Sequence, residues 1–156
     1  MSNKFSVAMS VYKNDNAIYF DKALESITTL QTRIPNEIVL VVDGPVSEEL
    51  NSVITKYEAK FNIFNIIRLP QNCGLGNALK IAVEASKNEL IARMDSDDVA
   101  LQDRFEKQIQ FFDNNPNLDI VGGDISEFVD TENNIVAHRR VPKEDLEIKE
   151  YLKYRC

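Results

Sequence analysis

Two cysteines and one histidine are all the thiol and imidazole metal ligands that this 156-residue chain offers. Cys73 and Cys156 are too few for a disulfide framework or a metal knuckle, which makes a reducing compartment the default. His138 stands alone, with no Ser-His-Asp or Cys-His arrangement, so nucleophilic catalysis has no support and the residue reads as part of a strand. Excess positive charge is also missing. A net charge of −7 and a pI near 4.8 argue against nucleic acid, or an anionic membrane surface, as the main partner. No apolar run approaches the ~20 residues that span a bilayer. Met1-Ser-Asn-Lys4 leads straight into a strand-like run rather than a signal peptide. The expectation is a cytoplasmic protein without a transmembrane segment, or one peripheral at the inner face of the cell membrane. Repeats, linkers and low-complexity stretches are absent too, and the length suits a single domain over 1–156 that buries about 68–70% of its unfolded surface.

What is present is an alternation. Phe5 to Tyr12, apolar and partly β-branched, predicts a first strand. After a break at Lys13–Asn16, Ile18, Phe20, Ala23, Leu24, Ile27 and Leu30 recur at helical spacing up to Pro35. Glu37 to Val42 is a continuous hydrophobic run, which predicts a strand buried on both faces, and Asp43-Gly44-Pro45 ends it as a turn. Ser47 is placed to cap a helix running to about Phe61, with Glu48 and Glu49 in its first turn. A third strand is expected over Ile63–Leu69, then the Pro70–Gly76 loop and a helix through Ala78, Leu79, Ala82, Val83 and Ala85. Leu90–Met94 predicts a fourth strand. Gln102–Asn115 predicts an amphipathic helix whose apolar face is largely Ile109, Phe111 and Phe112. The last third reads as a strand over Asp119–Val129, a turn at Glu132–Asn134, a returning strand over Ile135–Val141 and a helix over Lys143–Tyr154. Strand and helix alternating four times over predict an α/β fold with an open, doubly wound, mostly parallel sheet.

In such sheets ligands bind at the carboxyl ends of the strands, where Tyr12, Asp43, the Asn72–Gly76 loop and Asp95–Asp98 all fall. Asp95-Ser96-Asp97-Asp98 places three carboxylates in four positions directly after an apolar strand. Like charges that close repel unless a cation sits among them, and a hard divalent ion with oxygen ligands fits, typically Mg²⁺ or Mn²⁺ shared with substrate phosphates. The plainer reading is a solvated acidic turn. Asp43 is suited to accept an N–H from a planar ligand such as a nucleobase, or to serve turn chemistry alone. Asn72 and Gly74 lie at a helix N-terminus, where free N–H groups attract phosphate, although the loop lacks GxGxxG spacing and the P-loop lysine. Arg93 pairs with a carboxylate or reaches a phosphate, and Arg104 reads as a helix-surface or supporting partner. As an EF-hand the acidic run fails, because Val99 and Ala100 replace a ligand and the turn glycine. As the aspartyl-phosphate loop of haloacid-dehalogenase-type phosphatases it follows the wrong strand.

Taken together, Phe5–Tyr12, Glu37–Gly44, Asn72-Cys-Gly-Leu-Gly-Asn-Ala78, Ile91–Asp98 and Asp103-Arg-Phe-Glu-Lys-Gln108 resemble the inverting nucleotide-sugar glycosyltransferases of family two. Those enzymes have the GT-A fold, and the closest flavour is that of bacterial enzymes building O-antigen, capsule or lipopolysaccharide glycans. The resemblance covers nearly all of residues 5–130. It implies transfer of a sugar from a nucleoside-diphosphate donor, usually UDP-linked, to a glycan or lipid-linked saccharide. Ser10, Val11 and Tyr12 would then contact the base, and Asp43 would bond it. The Asp95–Asp98 run would be the DxD motif, with Asp95 and Ser96 nearer the nucleoside and Asp97 and Asp98 holding Mn²⁺ or Mg²⁺. Asn72, Gly74 and Arg93 complete the expected donor site.

Departures from the pattern are visible. Ser10-Val-Tyr-Lys13 stands where the family often has Pro-Thr-Tyr-Asn, and Lys80 and Ala82 replace a common Asn and Gly. Family members run about a hundred residues further, and their carboxylate general base lies there. Glu144, Asp145, Glu147 and Glu150 read as one solvated helix face, so no base is expected within the chain, which reads as the donor-binding half of an enzyme. A nucleotide-sugar-binding module without transfer activity, and a Mg²⁺-dependent phosphohydrolase, are the other readings.

Overall fold

A computed structural model describes residues 3–154. The elements run in the order β1 (Phe5–Val11), α1 (Ala17–Ile27), β2 (Glu37–Val42), α2 (Glu48–Lys60), β3 (Phe64–Arg68), α3 (Leu75–Ala85), β4 (Leu90–Met94) and α4 (Arg104–Asn114). A shorter β5 (Ile125–Phe128), β6 (Ile135–Arg139) and α5 (Asp145–Leu152) follow. The first four strands form one parallel sheet in the order β3-β2-β1-β4. The chain therefore lays down β2 and β3 on one side of β1, then returns to place β4 on the other. The order reverses between β1 and β4, so their carboxyl ends flank the crevice where doubly wound sheets bind ligands.

The pattern of β2 explains its central position. All six of its residues are buried. Ile38, Leu40 and Val42 join Val7, Met9 and Val11 of β1 on one face, packed against Phe20, Leu24, Leu50, Ile54, Phe105 and Ile109. Val39 and Val41 join Ala8 on the other face, against Ala78 and Ala82 of α3. Two alanines on the inner face of α3 let that helix lie close to the sheet. Caps fix the helix starts: Asn16 accepts from the N–H groups of Ile18 and Tyr19, and Ser47 from that of Leu50.

On α4 the apolar face keeps Ile109 and half-buries Phe112 as expected, but gains Phe105 and leaves Phe111 out. Phe105 and Ile109 are buried, whereas Phe111 is 57% exposed. The helix starts two residues later than predicted, at Arg104, and Phe105, four residues before Ile109, falls on the stripe that faces the sheet. Its ring lies 5.0 Å from that of Phe5.

Two compact units divide the chain, Met1–Asn114 and Asn115–Cys156. The sheet and both hydrophobic clusters belong to the first. In the second, β5 and β6 form an antiparallel hairpin with a register shift between Glu127 and Phe128, and Asp130 adopts a positive φ of 64° in its turn. Strand pairing begins only at Ile125, not Asp119, because Gly122-Gly123 interrupts the extended run with backbone freedom and no side chain to pack. His138 lies on β6, its Nδ1 3.0 Å from the Ser126 hydroxyl, as a strand residue. No described residue after Asn115 is buried. No helix among the described residues is long and apolar enough to cross a membrane.

Candidate functional site

The carboxyl ends of β1, β2 and β4 and the loop after β3 bring four sequence features to one edge. At the end of β1, Tyr12 is fixed by a residue that sequence reasoning passed over as a strand breaker. The Asp15 carboxylate accepts the Tyr12 N–H at 3.1 Å through Oδ2, while the Asp15 N–H donates to the Tyr12 carbonyl at 3.1 Å. The same Oδ2 accepts the Ser96 hydroxyl at 2.7 Å. Asp15 therefore closes its own turn and ties it across the crevice to the acidic turn after β4. The available signal was an Asp three residues beyond a strand end, where it can close a turn onto the backbone.

At the end of β2, Asp43 is 3% exposed and its carboxylate accepts three hydrogen bonds. Oδ1 takes the Cys73 N–H at 2.7 Å; Oδ2 takes the Gly74 N–H at 3.0 Å and the Asn72 side-chain amide at 2.9 Å. The donors of Asn72 and Gly74, expected to face a phosphate, are thus engaged by Asp43, because a buried carboxylate needs donors and the loop supplies them. What stays open is the first turn of α3, whose N–H groups at Leu75, Gly76 and Asn77 have no intrahelical acceptors. Gly44 makes the approach of the two loops possible. Its φ is +86°, and a Cβ there would lie 2.7 Å from the Asn72 backbone nitrogen. Gly74 likewise holds a positive φ of 88° as the residue before α3.

At the end of β4, Arg93 pairs with Asp95 at 2.6 Å, so the ion-pair reading of Arg93 describes its contact here. Asp97 and Asp98 are exposed and make no hydrogen bond or close ion pair among the described residues. Asp98 is held above the usual carboxylate range, first by desolvation and then by the charges of Asp95 and Asp97, with Arg104 and Arg93 opposing. Arg104 supports the turn from below. It donates to the Arg93 carbonyl at 2.9 Å and to the Met94 sulfur at 3.1 Å, and stacks over Phe105 at 5.4 Å. Burial lowers its pKa while Asp98 and Asp95 raise it, yet a guanidinium stays charged at every ordinary pH.

The backbone beyond Asp98 is sewn to the end of α1. The Ala100 N–H donates to the buried Ser26 hydroxyl at 3.0 Å, and Gln31 donates to the carbonyls of Ser26 and Leu101 at 2.7 and 2.8 Å. Ser26, on α1, and Gln31, in the loop after it, were not anticipated as site supports, since a polar side chain does not reveal from sequence which loop it will meet.

Among the described residues, no three His, Cys, Asp or Glu side chains converge as a preformed metal cage. The donor set nevertheless fits a hard divalent cation. Asp97 and Asp98 offer unengaged carboxylate oxygens, a neighbouring carboxylate is already paired with arginine, and Asp98 is pushed toward its neutral form by desolvation and then by like charge, which a cation would offset. An ion held by two carboxylates takes its remaining oxygens from substrate and water. Ser10 and Val11 close β1, opposite Val41 and Val42 of β2, and sit beneath Tyr12, which is 39% exposed.

Similarity to known proteins agrees with this arrangement. Residues 6–155 match the family described as Glycosyl transferase family 2. An uncharacterised glycosyltransferase of Haemophilus influenzae is 42% identical over 153 residues, 98% of this chain and 57% of that one. The amylovoran biosynthesis glycosyltransferase AmsE of Erwinia amylovora is 41% identical over 124 residues, 80% of this chain and 46% of that one. An Escherichia coli UDP-Gal:alpha-D-GlcNAc-diphosphoundecaprenol beta-1,3-galactosyltransferase is 37% identical over 125 residues, 80% and 45%. The chain thus spans about half the length of the curated relatives it matches. Among solved structures, S. aureus TarS 1-349 in complex with UDP is similar with a TM-score of 0.61 at 26% identity, over 71% of this chain and 32% of that one. The mannosyltransferase PcManGT of Pyrobaculum calidifontis, in complex with GDP-Man and Mn²⁺, shares the fold alone, with a TM-score of 0.62 at 16% identity over 86% and 37%. The parallel sheet is that of the GT-A glycosyltransferases, and the chain belongs to glycosyl transferase family 2.

Proposed function

We propose that this chain carries the donor site of a glycosyltransferase that moves a sugar, with inversion, from a UDP-sugar to a glycan or lipid-linked saccharide. The observation that carries the reading is the Asp15 bridge, which holds Tyr12 and Ser96 together at the reversal point of the sheet and leaves Asp97 and Asp98 unengaged beside them. A base would lie against Tyr12 and the Ser10–Val11 end of β1, with the remaining acceptor capacity of Asp43 Oδ1 facing its N–H. The diphosphate would extend over the turn at Asp95–Asp98, with Arg93 as its nearest exposed cation. UDP is supported by the UDP-Gal donor named for the E. coli relative and by the UDP bound in the S. aureus neighbour.

Asp97 and Asp98 would hold Mn²⁺ or Mg²⁺, which when bound supplies a Lewis acid for the leaving diphosphate. The chain's own residues set the geometry. Asp15 fixes the relation of the two strand ends, Arg104 supports the acidic turn, and the Asp43-anchored loop closes one side. The acceptor-activating base is assigned to none of Glu144, Asp145, Glu147 and Glu150, which are exposed on or beside α5. A lipid-linked acceptor, such as the diphosphoundecaprenol-linked GlcNAc of the E. coli relative, would bring the protein to the cytoplasmic face of the membrane. The test is thermal melting with UDP and Mn²⁺. A metal-dependent rise that vanishes in Asp97→Ala supports the reading; a metal-independent rise, or none with any nucleoside diphosphate, overturns it.

A further inference from the structure

The amino ends of the strands, at the opposite edge of the sheet from the acidic turn, border a second cavity of about 400 Å³, within the ~300–1,000 Å³ range of small-molecule sites. Its polar wall is formed by Glu37, Lys87, Asn88, Asn62, Asn65 and Lys4. Glu37, at the start of β2, is 4% exposed. Its Oε2 accepts the Ser6 hydroxyl and the Lys87 N–H, both at 2.8 Å. Oε1 is buried and makes no hydrogen bond, an arrangement uncommon in native proteins. It is faced at 3.3 Å by the Lys87 ammonium, on a side chain that is 78% exposed. The lysine covers this oxygen as its ion-pair partner, while most of its own side chain stays in solvent.

Around this carboxylate Asn36 accepts the Phe5 N–H at 3.1 Å, while other polar groups are unengaged. Asn62, Asn65 and Lys4 make no side-chain hydrogen bond among the described residues, and Asn88 donates to Ser6 at 2.9 Å while leaving its carbonyl oxygen open. Each free carboxamide presents both donor and acceptor. That mixture suits neither simple ion: an anion would meet the amide oxygens and Glu37, and a cation would meet Lys4 and Lys87. It suits hydroxyl groups, which donate and accept at one atom. Ile63 and Phe64, both half-buried, supply an apolar wall for the C–H face of a ring.

We propose that this cavity is a second, non-catalytic site for an uncharged saccharide, remote from the donor edge. A ligand hydroxyl donates to Glu37 Oε1 as the Lys87 side chain swings aside, and Asn62 and Asn65 bond neighbouring hydroxyls. The site shares with the proposed function only the expectation that the protein meets glycans, and it can exist without it.

Saturation-transfer NMR with lactose, cellobiose and N,N′-diacetylchitobiose tests the site, with inorganic phosphate as competitor. At least one disaccharide is expected to bind, unaffected by phosphate and by Asp97→Ala, and to weaken roughly fivefold or more in Asn62→Ala/Asn65→Ala, as losing two hydrogen bonds implies. No transfer to any of the three overturns the proposal, as does binding lost in Asp97→Ala or displaced by phosphate. The UDP–Mn²⁺ melting shift is measured on the same proteins. Its retention in the double variant shows an intact fold, and its absence beside intact disaccharide binding counts against the donor reading alone.

Discussion

Ser96 donates its hydroxyl to the Asp15 carboxylate at 2.7 Å, joining the loop after β1 to the turn after β4. The register between these strands ends at Met9 and Met94, so beyond that pair the chains diverge around the crevice. One carboxylate oxygen, already holding the Tyr12 N–H, bridges the gap. The position of the acidic turn relative to Tyr12 is therefore set by Asp15 rather than by the sheet alone.

Replacing Asp15 by alanine removes the acceptor shared by Tyr12 and Ser96 without touching the core. UDP–Mn²⁺ affinity, read by calorimetry, is expected to fall about tenfold or more, the equivalent of one hydrogen bond to a charged group, at ~1.5–3 kcal/mol. Ser96→Ala, which keeps the Tyr12 contact, should lose less. An affinity in Asp15→Ala equal to that of the parent would show that the two loops hold their places without the bridge.

Asp98 illustrates a site residue that works against the fold. Desolvation and the charges of Asp95 and Asp97 raise its pKa, so in the metal-free protein its ionised form is disfavoured relative to the unfolded chain. The folded state then binds more protons than the unfolded one between the two pKa values, and stability falls as pH rises through that window. Asp98→Asn should raise the metal-free melting temperature at neutral pH by about 1–3 °C, as relief of ~0.5 kcal/mol of largely solvent-screened repulsion implies. The same variant should lose most of the stabilisation by UDP with Mn²⁺. A lowered metal-free melting temperature would mean that Asp98 makes a stabilising contact.

The alternation of strands and helices was legible because each element carries its own signal. The β2 run of Glu37–Val42 and the β4 run of Leu90–Met94 appear with the expected bounds. Ser47 caps α2 as its place in the sequence implies. The edge assignments of Tyr12, Asp43 and Asp95–Asp98 follow from topology, since every parallel strand delivers its last residue to the same side. Partners were not legible. That Asp43 holds Gly74, that Asp15 meets Ser96, and that Gln31 meets Leu101 depend on contacts between segments roughly 30 to 80 residues apart, for which local periodicity carries no information. On α4 the stripe of Phe105, Ile109 and Phe112 follows the helix's own period, whereas its start at Arg104 coincides with contacts of the preceding loop and first turn to Ser26 and Gln31.

Gly44 and Asp43 together fix the Asn72–Gly74 loop, and substitutions there separate two causes. Gly44→Ala must accommodate a φ of +86° and a Cβ only 2.7 Å from backbone, so a loss of ~1–3 kcal/mol in denaturant unfolding is expected. Asp43→Ala leaves the Cys73 and Gly74 N–H groups without their acceptor, and a similar loss of ~1–3 kcal/mol follows. Asp43→Asn keeps one acceptor oxygen and should recover part of it. If all three variants unfold like the parent, the loop is held by contacts other than these.

Glu37 gives the fold an acid-sensitive joint. Burial alone would raise its pKa, but the Lys87 N–H, the Ser6 hydroxyl and the Lys87 ammonium outweigh it and hold the carboxyl below the ordinary glutamate value. With a folded pKa depressed below the unfolded one, the stabilisation is complete above the unfolded value of about 4.3. It is lost as pH falls from there through the folded pKa, because the unfolded chain takes up the proton first. The group binds the amino-terminal start of β2 to the loop before β4, so its protonation loosens the amino-terminal edge of the sheet while leaving the donor edge untouched. Glu37→Gln should therefore lower stability at neutral pH and flatten the decline of stability as pH falls below the unfolded value, since it has no proton to gain. Unfolding curves at several pH values check both parts. A parallel offset between parent and variant at every pH would show that Glu37 contributes through packing and not through its charge.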